Sequence, residues 1–310
     1  MTRRRNAFVR MVAAAVSVAA LAAGCGGGGA EGPGDGPSSV PAVAADPQVQ
    51  ALLPEAVRER GVLRVATMNN YKPFSFNDAG TQTGMIPDMS TAVAETMGLR
   101  IEVNAVDFGS ILTGLQAGRY DIGMGEFFVR PDRLEVADFV TEWSNSDAFI
   151  VADTSDYRPD GLPDTCGQRI AILTGSSGVP AMERGAEVCT EAGQPAPEVQ
   201  TFPAMNDAVL ALTSDRVDAV LTGREVGVVL EQDGVPVTSS GQVSGGPTAT
   251  AVSRAPDVEG LPEAIQAAYE SLIANGTYEA IHQKWGTDYG VIDDPAIYRA
   301  GDTPPVYEEQ

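Results

Sequence analysis

Short apolar runs alternate with amphipathic stretches through the middle of the chain. The run at 63–67 is typical of a buried strand, and Met89, Val93 and Met97 then recur on one face of a helix that ends at Gly98. The alternation continues with a strand at 101–106, a helix that ends at Gly118 and a strand at 120–125. Because strands that alternate with helices pair through crossovers, this order predicts an α/β unit with a mainly parallel sheet.

A second unit of the same kind follows the first. An apolar strand at 169–173 leads into a helix that reaches Cys189. The pattern then gives a strand at 199–202, a helix at 206–214 and a strand at 217–221. The sequence therefore predicts two consecutive α/β units with helices around each sheet.

The connections between the units predict a discontinuous first lobe. Residues 153–164 are polar and broken by Pro and Gly, which fits a crossing from one unit to the next. After Gly246, a strand at 248–253 and a helix at 261–275 follow without a new complete unit, so we expect them to return to the first unit. The expected ranges are lobe 1 at 51–153 plus 247–290, lobe 2 at 154–246 and a C-terminal tail at 291–310.

The N-terminus is typical of a secretory signal. Arg3, Arg4 and Arg5 precede an apolar stretch at 11–23 that is too short for a permanent membrane helix. Residues 1–24 are therefore expected to be a signal peptide. Residues 25–50 hold hardly any large apolar side chain, which predicts a flexible tether rich in Gly, Pro and Ser.

The end of this segment, Leu21-Ala22-Ala23-Gly24-Cys25, resembles the lipobox of bacterial lipoproteins, where small residues precede a cysteine that receives lipid. The resemblance implies that Cys25 is lipidated. It also implies an extracytoplasmic protein anchored to the outer face of the bacterial cell membrane. An ordinary signal peptide with an incidental cysteine is the alternative.

Composition narrows the function classes. The 20 basic residues against 42 acidic ones give a net charge of −22, which argues against a nucleic-acid partner because phosphate binding needs cationic surface.

Extracytoplasmic cysteines usually pair, so Cys166 and Cys189 predict a disulfide. With one histidine, His282, no set of four metal ligands is available, and we expect neither a metal nor another cofactor. His282 is expected on the surface of a C-terminal helix.

Six strings of the sequence resemble successive landmarks of the family-3 solute-binding proteins, the extracytoplasmic receptors of polar amino-acid ABC importers. In chain order they are LRVATMNNYKPFSFND, LTGLQAGRYDIGMG, VRPDRLEVADFV, QRIAILTGSSG, SDRVDAVLTG and LIANGTYEAIHQKWG, and they span about 61–286. The resemblance implies the two-lobed periplasmic binding protein fold of type II, which closes on a small solute in its cleft. It also implies a monomer that is not an enzyme and that delivers its solute to ABC permease subunits.

Two ligand-binding positions follow from the resemblance. Arg133 stands where the family places the arginine that grips a ligand carboxylate, a role that suits the two parallel bonds of a guanidinium. The alternative is a surface arginine paired with Asp132 or Glu135. Ser176 and Ser177 follow a predicted strand and open a helix, so their hydroxyls and backbone N–H groups suit the same carboxylate. The alternative for Ser177 is simple capping of that helix.

The sequence departs from the amino-acid binders of the family at Gly223, where those members usually carry the aspartate that takes the ligand's ammonium group. Glu126 and Phe128 instead place an acid and a ring on one face of an extended segment. Tyr71 and Phe108 occupy family positions that face the ligand. Together they suggest an aromatic cage for a compact zwitterion, which resembles the arrangement of ectoine-binding and hydroxyectoine-binding members. For each ring, an ordinary core role is the alternative.

Two other functions stay open at this point. The same fold hosts a few dehydratases, and a buried Glu126 with a raised pKa suits a general acid. A ligand-sensing module is the third possibility. Capture of a small carboxylate-bearing solute, either an amino acid or a zwitterion such as ectoine, is the function that we favour from the sequence.

Overall fold

The structure is a computed structural model that describes residues 40–309, with side chains from 40 to 307. The expected signal peptide at 1–24, the lipidation site Cys25 and most of the expected tether lie outside the described residues. Within the described part of the chain, no helix is both long enough and apolar enough to cross a bilayer.

Ten strands form one mixed sheet, and two short strands form a separate hairpin. The strands are β1 (Val62–Met68), β2 (Phe76–Asp78), β3 (Thr81–Thr83), β4 (Arg100–Val106), β5 (Ile122–Phe128), β6 (Asp138–Ala152), β7 (Arg169–Leu173), β8 (Glu198–Phe202), β9 (Ala219–Gly223), β10 (Val237–Val252), β11 (Ile297–Tyr298) and β12 (Glu308–Glu309). The helices are α1 (Pro47–Ala51), α2 (Glu55–Arg60), α3 (Met85–Thr96), α4 (Phe108–Gln116), α5 (Pro131–Leu134), α6 (Gly178–Glu191), α7 (Met205–Thr213), α8 (Arg224–Gln232), α9 (Leu261–Ala274) and α10 (Thr277–Trp285).

The strand order explains the two lobes. The main path of the sheet runs β4-β1-β5-β10-β6-β9-β7-β8. Strands β4, β1 and β5 pair in parallel at one end and belong to lobe 1, while β9, β7 and β8 pair in parallel at the other end and belong to lobe 2. Between them β6 and β10 form a long antiparallel pair, and each carries chain from one lobe to the other. The α/β fold class is confirmed.

Helix α3 shows how the apolar pattern builds lobe 1. Met89 and Val93 lie on its buried face, as the spacing predicts, and Met97 caps its C-terminal end in a buried position. The helix begins after Gly84, whose φ of +131° and close approach to the backbone oxygen of Phe74 leave no room for a side chain. The sharp entry of the chain therefore depends on glycine at this position.

The predicted disulfide is confirmed in lobe 2. Cys166 precedes β7, and Cys189 lies on α6 with no exposed surface. The bond therefore joins the segment before the first strand of the lobe to the helix that follows that strand.

His282 corrects an expectation. The sequence suggests a surface position, but the side chain is 1% exposed and its Nδ1 lies 2.8 Å from the hydroxyl of Thr287. Its ring packs against those of Trp143 and Tyr278 on the inner face of α10. Burial lowers the pKa of His282 to about 4, so the ring is neutral at pH 7.

Both ends of the described chain are more structured than their composition indicates. Helix α1 begins at Pro47, inside the range expected for the tether, because Val49 is buried against the core. At the other end, β11 and β12 add to the sheet within the range expected for a tail. Elements of two to five residues are too short to show in a hydrophobic pattern.

Candidate ligand-binding site

A cavity lies between the two lobes, beside the long strands β6 and β10. Its free volume is about 40 Å³, well below the roughly 300 to 1,000 Å³ that small-molecule sites occupy, so the walls would have to part to admit a solute. It is lined by Met68, Tyr71, Phe108, Gly125, Glu126, Phe128, Arg133, Asn145, Asp147, Leu173, Ser176, Ser177, Gly178, Leu221, Thr222, Gly223 and Thr248. All seven residues that the sequence suggests for ligand binding lie on these walls, and their role in binding stays a prediction.

Arg133 projects into the cavity from the short helix α5 and is 3% exposed. Its Nη1 donates to the carbonyl of Phe128 at 2.8 Å, and its Nη2 donates to the carbonyl of Gly175 in lobe 2 at 2.9 Å. No carboxylate of the described residues lies within 4 Å of the guanidinium, because Asp132 pairs with Arg130 at 2.5 Å instead. Burial lowers the pKa of Arg133 to about 9, so the group stays charged at pH 7 without an ionic partner.

The two serines precede α6 on the side of lobe 2. Ser177 makes no side-chain capping bond and donates its hydroxyl to Oδ2 of Asp147 at 2.6 Å. Ser176 donates to the carbonyl of Leu173 at 2.8 Å and accepts from the backbone N–H of Gly178 at 3.2 Å. The capping bond therefore comes from Ser176, and Ser177 faces an acid.

Glu126 stands at an irregularity of β5. The register between β5 and β10 shifts between Ala249 and Ala251, and Glu126 has a φ of +57°. A left-handed backbone is rare for a non-glycine residue inside a strand, and such strain is found mostly at binding and catalytic sites. The Oε1 of Glu126 accepts from Nδ2 of Asn145 at 2.6 Å. Burial, followed by the charges of Glu225 and Asp147, raises the pKa of Glu126 well above its ordinary value.

Asp147 and Asn145 are site residues that the sequence reasoning missed. Both lie on β6 and face the cavity, and Asp147 is 7% exposed. Burial raises the pKa of Asp147, while the hydroxyl of Ser177 and the charge of Arg133 act in the opposite direction. The signal available in the sequence is the polar run Ser144 to Asp147, which lies between Trp143 and the apolar end of the strand.

Glu225 comes close to the site from the first turn of α8. It is 5% exposed, and its Oε1 lies 3.3 Å from Nε of Arg224. It does not line the cavity. Its charge nevertheless reaches Glu126 and contributes to the raised pKa of that group.

Gly223 occupies a position where a side chain would meet two ligand-site groups. A Cβ there would lie 3.0 Å from Nδ2 of Asn145 and 3.2 Å from the hydroxyl of Tyr71. The Tyr71 hydroxyl lies 2.9 Å from Oγ1 of Thr222 and accepts from the N–H of Gly223 at 3.3 Å. A side chain at this position would therefore require Asn145 and Tyr71 to shift by a few tenths of an ångström.

The three aromatic residues of the suggested cage line the cavity, but each ring also packs on a neighbour outside the set. The centroid distances are 5.4 Å for Tyr71 and Phe74, 4.8 Å for Phe108 and Phe127, and 4.8 Å for Phe128 and Tyr307. These contacts hold the rings in fixed orientations towards the cavity.

The charges around the cavity are unequal. Among its lining residues, which all belong to the described part of the chain, Arg133 is the only cation, and Glu126 and Asp147 are acids. Glu225 adds a third carboxylate close by. When all are ionised the site has an excess of two negative charges, and the raised pKa values of the acids reflect that repulsion and the burial.

Comparison with known proteins places this geometry in a family. The arginine-binding protein ArgT of Corynebacterium glutamicum is 28% identical over 93% of this chain and 95% of its own length. The L-cystine-binding protein TcyA of Bacillus subtilis is 29% identical over 43% of this chain and 50% of its own length.

Solved structures show the same fold. An ancestral arginine-binding protein bound to arginine superposes with a TM-score of 0.66 at 29% identity, covering 73% of this chain and 98% of that one. The fold is therefore the two-lobed periplasmic binding protein fold of type II. The family model of the bacterial extracellular solute-binding proteins, family 3, matches residues 63–288. With its two lobes, the cavity between them and a match over most of its length, the chain belongs to the bacterial extracellular solute-binding proteins of family 3.

Proposed function

We propose that this protein is the lipid-anchored substrate-binding component of an ABC importer and that it captures an amino acid with a cationic side chain. In this proposal Cys25 carries the lipid, the body works as a monomer outside the cell membrane, and the loaded form docks on the permease. Membership of the family supports binding and transport as the general role. The charged residues around the cavity indicate the chemical class of the solute.

The observation that carries the proposal is the buried guanidinium of Arg133 without a carboxylate partner. A desolvated charge of this kind is costly unless a counter-ion reaches it. A ligand carboxylate would supply that counter-ion through two parallel hydrogen bonds. The N–H groups at the start of α6 lie on the same wall and favour an anion there.

The acid excess argues for positive charge elsewhere in the ligand. Glu126 and Asp147 face the cavity, and Glu225 lies behind them. When the three acids are ionised, a solute with one carboxylate and two cationic groups brings a net charge of +1 and reduces this excess from two negative charges to one. The ring of Tyr71 adds a favourable contact to a delocalised cation, whereas the guanidinium of Arg133 already lies over the Phe108 ring at 5.6 Å. A cationic amino acid has this charge pattern, and the printed names of several relatives refer to arginine.

An ectoine-like zwitterion is the second candidate, favoured by the aromatic residues Tyr71, Phe108 and Phe128. Its single delocalised cation suits ring faces, but it leaves one more carboxylate unneutralised than a cationic amino acid does. The carboxylate of Asp147 on β6, which the sequence did not reveal and which adds to that of Glu126 on β5, is the reason for ranking the cationic amino acid first.

Closure of the cleft on the solute is part of the proposal. The bond from Arg133 to the Gly175 carbonyl and the contact of the Tyr71 and Thr222 hydroxyls both join lobe 1 to lobe 2. A ligand that binds Arg133 and Ser177 together would add further contacts of this type. A dehydratase with Glu126 as general acid, or a ligand-sensing module, is a weaker proposal because several relatives are named as binding proteins.

Calorimetry with paired ligands tests the proposal. L-Arginine and L-citrulline have the same carbon skeleton and α-amino acid end but differ in side-chain charge. We expect L-arginine to bind at least tenfold more tightly than L-citrulline and than ectoine. Tightest binding of ectoine, weakened by Phe128→Ala, would instead support the cage, and binding of L-citrulline equal to that of L-arginine would contradict recognition of a side-chain cation.

Arg133→Ala tests the carboxylate end in the same assay. We expect a loss of about 2 to 5 kcal/mol of binding free energy, the typical cost of removing one partner of a buried charge pair. Arg119→Ala, at an exposed arginine outside the cavity, is the control and should bind as the wild type does. Unchanged affinity of a folded Arg133→Ala variant would show that the carboxylate binds elsewhere.

A further inference from the structure

The C-terminal segment from Tyr289 onwards follows the residues that the family model matches, which end at 288. In the structure this segment is attached to both long strands. Its strand β11 pairs with Phe139 and Val140 of β6, and its strand β12 pairs with Ser244 and Gly245 of β10. The segment is therefore held by backbone pairing at two places on the strands that link the lobes.

Tyr307 lies at the point where the segment reaches the cavity wall. Its hydroxyl accepts from the backbone N–H of Val129 at 2.5 Å and donates to the carbonyl of Pro247 on β10 at 3.1 Å. One hydroxyl therefore connects the loop after β5 to a strand that links the two lobes.

The ring of Tyr307 is closely packed. Its centroid lies 4.8 Å from that of Phe128. It also covers Gly246, where an added Cβ would lie only 2.7 Å from Cδ1 of Tyr307. Gly246 has a φ of +156°, and its lack of a side chain provides the space that the ring occupies.

The loop that Tyr307 holds carries two groups of the cavity. Phe128 lines the cavity, and its carbonyl accepts the hydrogen bond that orients Nη1 of Arg133. The peptide N–H bound by Tyr307 belongs to Val129, the next residue. Movement of this loop would therefore shift the ring wall and the guanidinium together.

The start of the same segment reaches the acid side of the cavity. The hydroxyl of Tyr289 donates to Oδ1 of Asn145 at 3.1 Å, and Asn145 in turn donates to Glu126. The segment thus contacts groups that position the guanidinium of Arg133 and the carboxylate of Glu126.

We propose that residues 289–309 form a strap behind the cavity and that Tyr307 is a positioning residue, which fixes the loop of Phe128 and Arg133 against β10 in the orientation needed for binding. Tyr307 does not line the cavity, so it acts through its neighbours. A residue in this position sets affinity by preorganising the site, and its loss raises the cost of ordering the loop at the moment of binding.

The first test needs no ligand. Tyr307→Phe keeps the ring and removes the hydroxyl, and Tyr298→Phe makes the same change elsewhere in the strap as the control. We expect the Val129 amide to exchange at least tenfold faster in Tyr307→Phe than in the wild type or the control. We also expect the NMR signal of the Arg133 Nε–H, assigned by its loss in Arg133→Lys, to move only in Tyr307→Phe. If both signals match those of the wild type, the proposal is wrong.

The second test measures affinity and rests on the proposed function, with L-arginine as the probe. We expect Tyr307→Phe to weaken binding about three- to tenfold through faster dissociation, while Tyr298→Phe binds as the wild type does. Faster Val129 exchange with unchanged L-arginine affinity would overturn the positioning role. If the wild type does not bind L-arginine, the proposed solute is wrong, and the exchange and NMR measurements decide on the strap by themselves.

Discussion

Glu142 is a buried acid on β6 that lies outside the ligand cavity. Its Oε2 accepts from the hydroxyls of Thr250, at 2.5 Å, and Tyr269, at 2.9 Å, whereas its Oε1 has no hydrogen-bond partner. Burial raises the pKa of Glu142 from 4.5 to about 7, and the two hydroxyls only partly offset this effect. The folded protein therefore holds a proton on Glu142 more tightly than the unfolded chain does.

This difference makes stability depend on pH. The contribution of Glu142 to the free energy of unfolding is fully present below pH 4.5. It is lost as the pH rises through 7, because the buried group must then ionise. The loss amounts to about 3 kcal/mol over that range. We expect Glu142→Gln to abolish this part of the fall in the free energy of unfolding, measured by urea denaturation at pH 5 and pH 8.

The exposed Glu135→Gln is the matched control and should leave the pH dependence unchanged. An equal fall in stability for the wild type and for Glu142→Gln would show that Glu142 is ionised throughout or that it is not buried in solution.

At the residue scale, the cavity residues that can be predicted from the sequence are those inside the quoted strings. Arg133, Tyr71 and Ser177 belong to strings that resemble family landmarks, and all three lie on the cavity wall. Asp147 could not be placed in this way, because its approach to Ser177 depends on the register between β6 and β9, which are far apart in sequence. His282 was misplaced because α10 packs on partners that a helical pattern alone does not identify.

At the scale of single elements, the contribution of the disulfide to stability can be tested directly. Cys166 and Cys189 close a loop with a sequence separation of 23 residues, and the restriction of the unfolded chain should contribute on the order of 3 kcal/mol. We expect the double variant Cys166→Ala and Cys189→Ala to lose about that much unfolding free energy in urea. Its affinity for the ligand should stay the same, since neither residue lines the cavity.

Thiol titration of denatured, unreduced wild-type protein is the companion measurement. No free thiol is expected from this pair. Two titratable thiols, or a double variant as stable as the wild type, would contradict a structural role for the bond.

The alternation of strands and helices was predictable element by element, whereas the lengths of β6 and β10 were not. Their residues serve two lobes in turn, so the burial pattern changes along each strand and no single period describes it. The two short strands of the strap were missed for a different reason. Each has two residues, too few to show an alternation.

At the scale of the whole molecule, the main prediction concerns the anchor. If Cys25 is the mature N-terminus, mass spectrometry of the membrane fraction should find a diacylated peptide that begins at this residue. Cys25→Ser should move the protein from the membrane fraction into the soluble extracytoplasmic fraction, because the lipid provides the attachment. A soluble wild-type protein that begins at another residue would contradict the lipobox interpretation.

The lobe boundaries and the monomeric state also stay predictions at this scale. The expected crossing at 153–164 follows β6 directly, and the expected return near residue 247 falls within β10. A net charge of −22 favours separate molecules through mutual repulsion, an effect that salt weakens.

The long antiparallel pair β6 and β10 has a consequence for engineering. Asn145 and Asp147 on β6, and Thr248 on β10, line the cavity, yet these strands also carry the chain between the lobes. If the lobes move as proposed, a substitution that retunes selectivity at these positions also alters the strands that join the lobes. A sensor built on this scaffold should take its new specificity from positions such as Phe108 or Ser176, which stand on one lobe only. Its signal amplitude can then be adjusted independently on the paired strands.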